Sequence, residues 1–244
     1  MPVIEDSPLP DAKMSRPALQ PLDDFSGSLS QKVHASLKKA ILTLVYRPGE
    51  LMQKPEICAQ LGVSRSPVSE AMTRLAGEGL VEIIPQAGTY VTRFSMAEIR
   101  EGAFLREALE LAAVESVAAT ITDEQLLLLK RNLRIQQALM EDGDTAGFHQ
   151  LDAQMHELIL SFTGYRRLAA LAETSWVHVN RARHLNLPMP GRMQTTLAEH
   201  KAIVSALEAR DPQAAREATR HHLGQLIRSL GPLIIERPEL FSSS

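Results

Sequence analysis

The sequence predicts a mainly α chain in two parts: a small unit of three helices closed by a β-hairpin, then an all-α helical bundle. Three observations carry this prediction. Aromatic residues make up only 4% of the 244 while Leu and Ala abound, whereas sheet proteins draw on β-branched and aromatic residues. Apolar residues recur at spacings of three and four through most of the chain. Only residues 80–92 read as strand, turn, strand.

Residues 1–29 hold five of the fourteen prolines, with acids and serines and no period, and are expected to form a flexible arm. From Ser30, the residues Val33, Leu37, Ala40, Ile41 and Leu44 line one face of a helix that Pro48-Gly49 ends. A short helix at about 55–61, the turn Gly62-Val63 and a helix from about Ser66 to Glu78 come next. The strands are Leu80–Ile84 and Thr89–Thr92, with Pro85-Gln86-Ala87-Gly88 as the turn. Beyond a junction near 93–95, about six helices run to residue 236. Ser95 with Glu98 and Thr122 with Gln125 have capping-box spacing. Asp211-Pro212 opens the last helix, and breaks fall at Asp142-Gly143-Asp144, Gly164 and Leu187–Gly191. The expected organisation is an arm over 1–29, a first domain over 30–93, a helical domain over 94–236 and a tail over 237–244.

The net charge of −3 taken alone argues against a nucleic-acid partner, but its distribution reverses that. Residues 31–93 carry eight Lys/Arg against five Asp/Glu, a local +3, whereas 1–30 and 94–244 are each −3. No apolar run approaches the roughly 18 residues of a membrane span, and the N-terminal stretch lacks a secretory pattern. Cys58, the one cysteine, excludes an internal disulfide or a multi-thiolate metal site and lies on an apolar helix face as a structural residue. A reducing, cytoplasmic location with no membrane partner is expected.

Two helices around a tight Gly-containing turn can set the second helix in a DNA major groove, with the hairpin as a wing. In the second helix Val68, Ala71, Met72 and Leu75 face inward, while Arg65, Ser66, Ser69, Glu70 and Thr73 face out. Short hydroxyl side chains allow close approach, backbone N–H groups at a helix start meet phosphate, and an Arg can grip guanine with two bonds. Ser64, Arg65, Ser66, Ser69, Thr73 and Arg74 are the candidate DNA contacts, with Gly88 letting the wing backbone near a phosphate or the minor groove. The competing reading of Gly-Val-Ser-Arg-Ser-Pro is a polar helix start and nothing more.

Pro48-Gly49-Glu50-Leu51, Leu61 through Met72, and Leu75 through Glu78-Gly79-Leu80-Val81 resemble the winged helix-turn-helix of the GntR family of bacterial repressors. The helical remainder resembles that family's FCD branch, and the resemblance spans about residues 30–232. It implies a DNA-binding domain joined to an all-α effector domain. Two departures stand out: many members carry Arg where this chain has Ser69 and Pro55. Lys54 is expected to stand in for the second, and a different operator follows.

Periodicity also sorts the eight histidines. Asp152 and His156 stand i, i+4 above Ile159 and Leu160; His200 shares its face with Leu197, Ile203, Val204 and Leu207; His222 shares its stripe with Ala215, Ala218 and Leu226. One inward carboxylate and three inward imidazoles suit a divalent metal, although core histidines satisfied by hydrogen bonds read the same way. The FCD resemblance favours metal, since Asp152, His156, Glu199-His200 and His222 match its motif in order. Zn, Ni, Mn and Fe all suit the set, with Zn first.

Arg106 with Glu110 has the spacing of a helix-surface ion pair, yet in the family's Leu-Arg-x-x-Leu-Glu pattern it resembles a clamp for an effector carboxylate. Arg183, on the column of Trp176, Val179 and Leu187, is a second candidate pocket cation. Trp176 reads as core. His149 is expected beside the metal ligands, with His178 and His184 at the surface or rim. Together these imply a homodimeric, ligand-responsive regulator, a repressor, that reads a palindromic operator in double-stranded DNA and senses a small carboxylate. Two alternatives remain at this point. One is a regulator answering to the metal itself; the other is a metalloenzyme using Asp152, His156 and His200, which leaves Arg65 on its hydroxyl-rich helix unexplained. No enzyme activity is expected.

Overall fold

The computed structural model describes residues 18–242, four of them (169, 170, 173 and 174) by main chain alone. It is mainly helical and divides into two compact units between Thr92 and Arg93.

In the first unit α1 (Leu29–Leu42) starts at Ser28, whose side chain accepts from the Gln31 backbone while Gln31 returns a bond to the Ser28 N–H. This capping box sets the helix start just before the apolar period begins. Val33, Leu37, Ala40 and Ile41 are buried against α3 (Arg65–Gly77), which turns Val68, Ala71, Met72 and Leu75 inward. The short α2 (Lys54–Leu61) ends on Gly62 in the left-handed conformation, φ 64°. Strands β1 (Val81–Ile84) and β2 (Gly88–Val91) pair antiparallel with Ile84 opposite Gly88, so β2 sits one residue earlier than expected. Gly88 is required here: its φ is +135°, and a Cβ would lie 2.6 Å from Leu51 Cδ1.

The expected flexible arm needs correcting. Residues 1–17 lie outside the described residues, but from 18 onward the segment is docked. Leu19 is buried, its N–H reaches Gln60 Oε1 at 3.4 Å, and Gln20 O accepts from Ser36 Oγ at 3.0 Å. A 3-10 turn at Leu22–Asp24 leads into α1.

Among the described residues the second unit holds seven α-helices: α4 (Met96–Thr120), α5 (Asp123–Glu141), α6 (Thr145–Phe162), α7 (Arg166–Ser175), α8 (Val177–Asn186), α9 (Arg192–Glu208) and α10 (Pro212–Glu236). The expectation was six. The added break falls at Trp176, with no Gly or Pro to mark it, where the ring is buried and the backbone leaves the helical region. Long helices α4 and α10 lie together, α9 packs on α10 and α5, and α5 on α6. Val114, Val117, Leu129, Phe148, Met155 and Ile203 interlock between them. Gly102 lets α4 approach closely, since a Cβ there would meet Val179 Cγ2 at 3.0 Å and Ser175 O at 3.1 Å.

The expected tail over 237–244 also proves structured as far as residue 242. Residues Pro238–Leu240 form a 3-10 turn. Phe94 N–H donates to Leu240 O and Ser242 N–H to Phe94 O, both at 2.9 Å. The Phe94 and Phe241 rings stand 5.7 Å apart, and the buried Arg181 guanidinium lies 4.5 Å from the Phe94 ring centroid.

Candidate functional site

The helical unit brings Asp152 and His156 of α6 together with His200 of α9 and His222 of α10. All four are buried, and one ligand atom from each lies within 4.8 Å of the others. Asp152 Oδ1 is 3.3 Å from both His156 Nε2 and His200 Nε2, and His156 Nε2 is 3.2 Å from His222 Nε2.

What surrounds the cluster decides which atoms face it. His156 Nδ1 donates to Glu110 Oε2 at 2.6 Å, His200 Nδ1 to Gln136 Oε1 at 2.8 Å, and His222 Nδ1 to Glu199 Oε2 at 2.8 Å. Gln136 is held in that orientation because its NH₂ donates to Asn132 Oδ1 at 2.6 Å. A proton fixed on each Nδ1 leaves the Nε2 lone pair turned inward. Asp152 Oδ2 takes Arg183, and its Oδ1, like His200 Nε2, is buried without a hydrogen-bond partner. Three lone pairs and a carboxylate oxygen converging at a buried point repel one another unless a cation lies between them. The N₃O set therefore fits a divalent Zn, Ni, Mn or Fe ion.

The charge states agree. Burial pushes His200 down and His222 well below the usual imidazole value, the neutral form a metal requires. Burial alone would raise Asp152, but Arg183, His156 and His200 hold it well below the ordinary carboxylate range. Glu110 is likewise opposed by burial and brought down to about 2 by Arg106 and His156.

Arg106 and Glu110 do not form the surface pair their spacing allows: they are 4% and 3% exposed and meet at 2.6 Å. Beyond Glu110, the Arg106 guanidinium lies 5.2 Å from the Trp176 ring centroid. A matching arrangement stands at His222, where Arg192 donates two bonds to Glu199 at 3.2 and 3.0 Å. Arg106, Arg183 and Arg192, with Asp152, Thr196 and His222, line one opening. Sequence reasoning missed Arg192, Gln136 and the part played by Glu110. For Glu110 and Gln136 the one signal was a polar residue inside an apolar helix; Arg192, half-buried at the first position of α9, carried none. His149 does not serve the cluster: it stacks on His184 at 3.7 Å, and burial lowers the two rings to about 2 and about 4. His184 is thus half-buried in a ring pair, while His178 faces Glu98 at 3.6 Å.

In the first unit Ser64, Arg65 and Ser66 are exposed at the start of α3, as are Thr73 and Arg74 further along. Ser69 is half-buried, and its carbonyl accepts from Thr73 Oγ1 at 3.0 Å. Lys54, at the first position of α2, and Gly88, at the start of β2, are half-buried.

Residues 29–91 match the family described as bacterial regulatory proteins, gntR family, and residues 101–225 match the FCD domain. The HTH-type transcriptional repressor RspR of Escherichia coli is 31% identical over 214 residues, 88% of this chain and 94% of that protein. An HTH-type transcriptional regulator of Streptomyces ambofaciens is 31% identical over 86% of this chain and 89% of its own length. Among solved structures, McbR/YncC of Escherichia coli superposes with a TM-score of 0.73 at 24% identity, covering 85% of this chain and 99% of that one. A GntR regulator from Rhodococcus sp. does so at 0.71 and 24%, covering 86% and 99%. No described helix is long and apolar enough to cross a membrane.

Proposed function

The chain belongs to the GntR family of bacterial regulatory proteins and carries an FCD domain, a DNA-binding transcriptional regulator and not an enzyme; from that premise we propose that its helical domain senses a small organic acid at a metal-containing pocket. Asp152, His156, His200 and His222 hold the cation, Zn first among Zn, Ni, Mn and Fe. A bound divalent ion supplies a Lewis-acidic seat for a carboxylate oxygen, and Arg106 and Arg183 neutralise the carboxylate. The carrying observation is the set of three Nδ1–H bonds that turn three Nε2 lone pairs and Asp152 Oδ1 toward one point.

The DNA contacts are Lys54, Ser64, Arg65, Ser66, Ser69, Thr73, Arg74 and Gly88. Two copies related by a two-fold axis read a palindromic operator, one α3 per half-site. Ligand binding biases the dimer between states of different operator affinity. The sign, repression, follows the Escherichia coli relative that is named a repressor.

Elemental mass spectrometry of untagged protein tests the metal. About one divalent ion per chain is expected in the wild type and none in His200→Ala. An equal metal content in the two, or none in either, overturns the site.

A further inference from the structure

Three guanidinium groups border the cavity from three helices: Arg106 on α4, Arg183 on α8 and Arg192 in the first turn of α9. Each is matched to a single carboxylate, Arg106 to Glu110, Arg183 to Asp152 and Arg192 to Glu199. Those six charges cancel. Imidazoles bind a metal as neutral ligands, so a divalent cation held by His156, His200 and His222 adds a net +2 to the pocket. The three carboxylates are 2–7% exposed, and uncompensated charge at that depth is strongly unfavourable. A monocarboxylate removes half of the excess; a dianion removes all of it.

The free hydrogen-bonding capacity has the same distribution. Arg106 Nη2, Arg192 Nε and Thr196 Oγ1 are buried without partners, although their residues line the opening. Arg106 stands behind His156 through Glu110, and Arg192 stands behind His222 through Glu199. The two cations therefore serve different imidazoles from different helices. That suits two separated negative groups better than one compact anion.

We propose that the effector is a short dicarboxylate, with Arg192 as the specificity-determining anchor for its second carboxylate. This rests on the carboxylate-sensing reading above and narrows it. All three arginines hold a carboxylate, but only Arg106 Nη2 and Arg192 Nε keep a buried donor without a partner, so Arg106 and Arg192 take the two ends while Arg183 adds its charge beside the first.

The test is calorimetric titration of zinc-loaded full-length protein with succinate and glutarate, against acetate, butyrate and inorganic phosphate. The expected result is at least tenfold tighter binding of a dicarboxylate than of any monocarboxylate. In Arg192→Gln the ratio falls toward one, and Arg192→Lys, which keeps the charge but not the fork, falls between. Zinc content of each variant is measured alongside, and only variants retaining about one ion per chain are compared. Equal binding of mono- and dicarboxylates by the wild type overturns the proposal, as does a preference that survives Arg192→Gln. Tighter binding of phosphate overturns the two-group ligand, and a heat accompanied by zinc leaving the protein overturns binding in the pocket. If monocarboxylates alone bind, the carboxylate-sensing reading stands and only the dianion fails; if no acid binds a zinc-loaded wild type, both fail.

Discussion

Glu110→Gln probes how the pocket is held together. The carboxylate accepts from Arg106 Nε and His156 Nδ1, each at 2.6 Å, in a setting where Glu110, Arg106 and His156 are 3%, 4% and 2% exposed. The amide is nearly isosteric but neutral, so one oxygen can still accept from one partner while Arg106 keeps its charge without a counterion. Breaking a buried pair from one side costs about 3–5 kcal/mol. The lower end is expected here, about 3 kcal/mol, because Arg106 remains over the Trp176 ring and one hydrogen bond survives. Metal affinity should fall about 10–100-fold, the usual effect of loosening a ligand's supporting carboxylate, or about 1.4–2.7 kcal/mol. The assay is competition for zinc against a chromophoric chelator, with urea unfolding of the apo protein in parallel. Glu115→Gln is the control on the same helix. It pairs with Arg216 at 2.7 Å with about half of its side chain exposed, and such pairs contribute about 0–1 kcal/mol. Zinc affinity in Glu110→Gln within threefold of wild type would refute the claim that Glu110 fixes His156.

Arg65→Ala should weaken specific operator binding by about 1–3 kcal/mol, as measured by fluorescence anisotropy, if the guanidinium reads a base. Its exposure at the start of α3 predicts no change in unfolding midpoint. Gly88→Ala should destabilise the first unit by about 1–3 kcal/mol, through the φ of +135° and the contact with Leu51; an unchanged thermal midpoint would contradict this. The His149–His184 stack makes stability fall with acid. In the folded chain these rings titrate near 2 and 4, whereas unfolded imidazoles take up protons near 6.5. Below pH 6.5 the unfolded state therefore gains protons that the folded state refuses. Each ring costs roughly 2 kcal/mol by pH 5, a loss that levels off only as the folded pKa is passed. Urea midpoints at pH 7 and pH 5 should fall further in wild type than in the His149→Gln/His184→Gln double variant, and equal falls would disprove the assignment.

Helical periodicity made Asp152, His156, His200 and His222 legible, because each stands in a column of apolar residues that must face inward. It could do so without knowing which helices would meet. Glu110 and Arg192 were not legible by the same logic. An Arg and a Glu four apart on α4 have the spacing of a solvent-exposed pair, and it takes His156 of α6 against Glu110 and the Trp176 ring against Arg106 to make that pair buried. Gln136 hides among the leucines of α5 for a similar reason: a lone amide in an apolar stripe carries no mark of its partner 64 residues away. The winged unit was nearly complete from local signals, with its strand edge displaced by one residue. The docking of 18–28 was invisible, since proline and acid content describes a segment without period and says nothing of a single Leu19 finding a site on other helices. The break at Trp176 likewise reflects where a large ring must be buried.

The bonds between Phe94 and residues 240–242 bear on the order in which the protein is made. The first unit ends at residue 92, so its own helices and hairpin are all made once this stretch has left the ribosome. The helical unit lacks the partner of its own first residues until 150 further residues have been added, about 8–30 s later at bacterial elongation rates. During that interval α4 has no α10 to pack against. A nascent chain can thus present a finished winged unit well before its helices close around Asp152, His156, His200 and His222.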